Sequence, residues 1–137
     1  MYDRIDYAAL LLRIGLGTMF LAHGLLKVLV FTLPGTAAFF EQVGFPGWAA
    51  YIVTFAELVG GLLLLAGISV RLVSLALVPV LLGAVAVHFG SGWVFSNANG
   101  GWEYPAFLTL ATVVQALLGP GKLAIRLDPG AQRPVTA

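Results

Sequence analysis

The sequence predicts an all-α polytopic membrane protein, a bundle of four transmembrane helices with both termini cytoplasmic. Three observations predict it. The chain is 60% hydrophobic and only 9% charged, against about 25% charged in soluble domains, and its mean hydropathy is +0.98. Four apolar segments stand out, at about residues 7–31, 48–68, 70–89 and 104–118. The lysines and arginines near the ends of those segments gather on one side. The 137 residues leave room for a single domain, 1–137, and no separate soluble module.

Crossing ~30 Å of hydrocarbon takes roughly 20 helical residues. The first three segments are long enough; the fourth is short unless its ends extend or the bilayer thins around it. Backbone groups in lipid must satisfy one another, so these segments are helices, and the alternation of a barrel strand is absent. The acidic start "MYDRIDY" and the length of the first apolar run mark a retained span rather than a cleaved signal peptide. "LPGTAAFFEQVGFPG" joins spans one and two; in it Thr36 is placed to cap one or two helical turns, with Phe39 and Phe40 at the interface. "GISVR" is a tight turn between spans two and three. Pro79 falls within span three and should kink it. Pro105 and Glu103 suit the first turn of span four. "GPGK" ends that span, and residues 127–137 read as a disordered tail.

Orientation follows from the basic residues. Arg4 precedes span one, Arg71 lies in the turn between spans two and three, and Lys122, Arg126 and Arg133 follow span four. The two remaining connections lack Lys and Arg, apart from Lys27 near the end of span one. The expected location is the bacterial inner membrane, multi-pass, with the loop "HFGSGWVFSNANGGWEYP" (His88 to Pro105) on the outer side.

That loop holds the densest polar chemistry in the chain. The ionisable residues within the apolar segments are Arg13, His23, Lys27, Glu57 and His88, with Glu103 at a helix start. Each costs about 2.5–3.5 kcal/mol at the bilayer centre on insertion scales, so such groups face the bundle interior and mark function. Arg13 and Lys27 are nearly four helical turns apart and share a face, with His23 one turn before Lys27. Arg13 is expected to pair with Glu57. His23, Lys27, His88 and Glu103 fall at one depth in the outer half, where Trp102 and Tyr104 add aromatic surface and the loop closes a polar pocket. "LGTMFLAHG" and "LGAVAVHFG" each bring a histidine to the outer end of an outward-going helix. Each residue also has a plain reading: an interhelical ion pair, a snorkelling lysine, packed histidines, a helix-start acid, an aromatic belt.

The residues "RIGLGTMFLAHGLLK", "GFPGWAAYIVTFAELVGGLLLLAGI", "NGGWEYP" and "GPGK" resemble the DoxX family of small bacterial membrane proteins over nearly the whole chain. The matching positions are Arg13, Gly17, His23, Gly24, Lys27, Glu57, Gly60, Trp102, Glu103 and Tyr104. The resemblance implies a four-helix membrane bundle and an association with respiratory and sulfur redox chemistry. Other relatives are linked to oxidative-stress complexes, and distant ones to membrane-protein assembly.

Three functions fit these residues. One is a quinone-interacting or accessory subunit of a membrane redox complex. As an enzyme it would be a non-autonomous subunit, with Arg13, His23, Lys27, Glu57, His88, Trp102, Glu103 and Tyr104 binding ligand or relaying protons. The others are a membrane scaffold or assembly factor without catalysis, and an oligomeric pathway for a small solute or proton. No intrinsic cofactor is evident, quinone is the expected ligand, and haem b held by His23 and His88 is disfavoured because two histidines at one depth need not face each other. With no cysteine, the chain has no disulfide, thiol redox pair or thiolate metal site, and no metal is expected. The expected partners are the lipid bilayer, a redox protein and further copies of the chain. No basic patch suggests nucleic acid.

Overall fold

A computed structural model describes residues 2–125. The arginines at 126 and 133 and the tail 127–137 lie outside the described residues. Among the described residues five α-helices follow one another: α1 (Tyr2–Leu29), α2 (Leu33–Gln42), α3 (Gly47–Ala66), α4 (Val70–His88) and α5 (Glu103–Leu118), with one 3-10 turn at Phe89–Ser91. No strand occurs among the described residues. Helices α1, α3 and α4 are long and apolar enough to cross a bilayer. The 16 residues of α5 rise only about 24 Å.

Packing runs in a ring. The α1 helix lies against α3, α3 against α4, α4 against α5, and α5 against α1. Glycines set the closest approach, between α1 and α3, in the way small residues let membrane helices meet. A Cβ on Gly61 would stand 2.7 Å from the Leu21 nitrogen and 2.9 Å from the Gly17 oxygen, so backbone touches backbone there. A Cβ on Gly24 would meet Leu58 at 2.8 Å. The apolar core is built on Leu16, Phe20, Leu64, Val70, Leu77, Leu81 and Ala111.

The first connection differs from expectation. Its helix has ten residues and begins at Leu33, with Thr32 as the capping residue; the Thr32 hydroxyl accepts from the Gly35 nitrogen at 3.2 Å. Pro34 in the first turn leaves no hydrogen bond unmade, because a first-turn N–H has no helical partner in any case. Thr36 is a buried residue within α2 whose hydroxyl donates to the Thr32 carbonyl at 2.8 Å. Pro79 does lie inside α4, where its missing N–H leaves the Leu75 carbonyl without a helical donor.

The turn after α3 closes as a Schellman motif. Ile68 donates to Leu63 and Gly67 to Leu64, with Gly67 at φ 78°, a conformation natural to glycine. The segment after α5 folds back on this end of the bundle: Lys122 donates from its backbone to Asp6, and Ile125 to Ala66. The Lys122 ammonium lies 3.4 Å from Asp3, whose carboxylate holds it above its ordinary pKa.

Candidate functional site

The expected Arg13–Glu57 pair does not form. Arg13, 1% exposed, instead donates to the carbonyls of Leu64 and Leu65 at 3.0 and 2.9 Å and to that of Lys122 at 2.9 Å. The reason is depth. Helices α1 and α3 are antiparallel, and Leu58 lies level with Gly24. Arg13 is eleven residues before Gly24, about 16 Å lower along α1, out of reach of Glu57. It meets the carbonyl end of α3 instead, where unpaired carbonyls and the helix dipole both favour a cation.

Glu57 pairs with Lys27, at 2.7 Å between Nζ and Oε2. The side chains are 16% and 8% exposed, Lys27 and Glu57 respectively. This intramembrane ion pair forms part of the lining of an apolar cavity of about 520 Å³ in the half of the bundle away from the chain termini. His23, His88 and Tyr104 line the same cavity. Five of the eight residues singled out in the sequence thus converge, from α1, α3, α4 and α5. The other three lie outside it. Arg13 clamps the opposite end. The Glu103 carboxylate accepts the Phe95 amide at 3.1 Å. Trp102 stacks edge-on against Trp93 with ring centres 4.6 Å apart, and lies beside Phe89.

These two residues shape the loop above the cavity. The amides of Trp102 and Glu103 donate to Gly92 and Trp93, and Asn97 reaches the Ser91 carbonyl. A Cβ on Gly101 would collide with the Val94 carbonyl, so only glycine allows the strand-like closure that brings Gly100 and Gly101 to the cavity wall. The loop pairs several of its own polar backbone groups in this way although most of its residues are exposed.

In both histidines Nδ1 meets a backbone carbonyl. His23 Nδ1 lies 2.8 Å from the Met19 carbonyl, and His88 Nδ1 lies 2.9 Å from that of Asn99. A carbonyl only accepts, so in each ring Nδ1 is the donor to it, which leaves Nε2 as the nitrogen not engaged by that carbonyl. No group of three His, Asp or Glu suited to a metal occurs among the described residues.

Sequence reasoning missed the wall contributed by α2. Phe39, Phe40 and Val43 line the cavity, beside Phe45. The pair of phenylalanines was legible as interfacial, but nothing in the sequence tells that α2 folds over α3. It missed the α4 wall as well, where Pro79, Gly83 and Val87 recur at four-residue spacing on one face.

Long apolar helices packed through glycine, an ion pair within the apolar layer and a cavity beside it define a helical membrane protein. The chain belongs to the DoxX family, whose model, described as DoxX, matches residues 8–90. It is similar to the Bacillus subtilis (strain 168) protein named "Putative oxidoreductase CatD", with 33% identity over 129 residues that cover 94% of this chain and 90% of that relative. No solved structure matches it significantly.

Proposed function

We propose that this chain is a multi-pass protein of the bacterial inner membrane, four-spanning with cytoplasmic termini, that acts as a quinone-interacting subunit of a membrane redox complex. The observation that carries the reading is the Lys27–Glu57 pair, with His23, His88 and Tyr104, lining a mostly apolar cavity. A quinone needs apolar walls for its ring and a few placed donors for its carbonyls. The Lys27 ammonium is a donor and a positive charge for an oxygen that gains electrons. Reduction to quinol takes two electrons and two protons. The electrons come from a partner protein. Glu57, Lys27 and His23 supply a route for the protons, His23 through Nε2, the ring nitrogen not held by the Met19 carbonyl. The relative's name supports the redox class.

The fourth span fits this reading if the loop of residues 89–102 lies at membrane depth above the short α5, its exposed Phe95 and Trp93 toward lipid. Quinone titration of the protein in nanodiscs tests the function. Saturable binding, weakened by about tenfold or more in His23→Ala and in the double variant Lys27→Met/Glu57→Leu, is expected. Binding that is absent, or equal in all three proteins, favours the scaffold reading.

A further inference from the structure

The cavity is bounded on one side by α2, which packs on α3 and touches α1, and on the other by α4 and α5; α2 makes no backbone approach to α4 or α5. The α3 and α4 helices pack closely where Gly60 meets Leu77, and the cavity occupies the space beyond that contact. Pro79, in the interior of α4, lines the cavity and is itself exposed. It lies nine residues before the end of α4 at His88, about 13 Å along the helix. In a helix apolar enough by length and composition to cross a bilayer, an opening at that position would face hydrocarbon. Gly83, one turn on, leaves the opening wide: a Cβ there would meet no heavy atom within 4 Å. Phe39 and Phe45 form exposed aromatic edges on the α2 side.

We infer that the cavity is loaded sideways from the lipid, through a slot between α2 and α4, and that its ligand is a long-tailed membrane lipophile whose tail leaves along the slot. The inference rests on the quinone reading for the head of that ligand and adds the tail and the route. The charged pair Lys27–Glu57 lies on the α1–α3 side and the slot walls at Pro79, Gly83, Phe39 and Phe45 are apolar, so the ring enters first and the tail trails past Gly83 and Pro79 into the bilayer. A water-soluble quinone would gain nothing from such an opening, whereas each buried methylene of a tail contributes about 0.8 kcal/mol.

Two measurements test this. In the first, the same benzoquinone ring, with and without an isoprenoid tail, is titrated against wild type and Gly83→Trp in nanodiscs. The indole fills the slot away from His23, Lys27 and Glu57. The preference for the tailed compound is expected to fall about tenfold in the variant; an unchanged preference overturns the tail assignment. In the second, an aryl diazirine carried in a lipid acyl chain is photolysed around wild type in nanodiscs; it should tag the stretch from Pro79 to Gly83, and a membrane-impermeant water-soluble aryl diazirine should not. Equal labelling by both overturns the lateral route. If neither quinone binds wild type, the functional reading above fails, and the labelling alone decides the slot.

Discussion

Replacing Lys27 by methionine strands the Glu57 carboxylate beside an apolar cavity. The two side chains meet at 2.7 Å and Glu57 is 8% exposed, so little water is at hand to take the place of the ammonium. Breaking a buried pair by removing one partner costs about 3–5 kcal/mol, because the remaining charge is uncompensated. At the lower bound that is a loss of about a hundredfold in the folding constant. Glu57→Leu should cost a similar amount by stranding the lysine, less whatever Lys27 recovers by snorkelling outward. The double variant removes both charges and should lie within about 2 kcal/mol of wild type, since replacing a whole buried pair with apolar groups is often neutral. The assay is reversible unfolding of all four proteins in mixed micelles, followed by circular dichroism, with the coupling taken from the double-mutant cycle. A coupling below about 0.5 kcal/mol, or single variants as stable as wild type, would refute the reasoning, because the pair would then be solvated or unformed.

Other consequences follow from the same geometry. Arg13→Met deletes three charge-assisted bonds that join α1, the end of α3 and the segment after α5; it should cost about 2–4 kcal/mol in the same unfolding assay, with Arg13→Lys recovering part of the loss. Gly61→Ala pushes a methyl onto the backbone of α1 and should destabilise by about 1–3 kcal/mol, whereas Gly83→Ala, in open space, should be neutral or slightly stabilising. Gly101→Ala should disrupt the loop over the cavity, seen as a change in near-ultraviolet circular dichroism from the Trp93–Trp102 contact, while the helical signal persists.

The helices were legible because hydrocarbon imposes one backbone solution and a minimum length, which the apolar runs reveal directly. The polar set was legible for the same reason: charge within an apolar segment is costly and therefore informative. Which charges pair was not. Arg13, His23 and Lys27 do share a face toward α3 or the cavity, but the Arg13–Glu57 assignment needed the level at which α1 crosses α3. That level is set by glycines at positions 17, 24 and 61, whose effect is a contact distance that no single-chain pattern shows. Trp102 and Glu103 were placed at the right end of the bundle and given a pocket role. In the structure Trp102 ends the loop, stacked on Trp93, and Glu103 opens α5, as its helix-start reading expected, and holds the Phe95 amide. The α2 wall was hidden because a ten-residue amphipathic helix between Pro and Gly has no signal for the partner it covers.

The measurement that tests the central claim most directly is mass spectrometry of the small molecules carried by protein extracted from its own membrane into lipid nanodiscs, with His23→Ala as the control. The account predicts a near-stoichiometric long-tailed quinone with wild type and its loss in the variant. Bulk lipid alone in both preparations would contradict it.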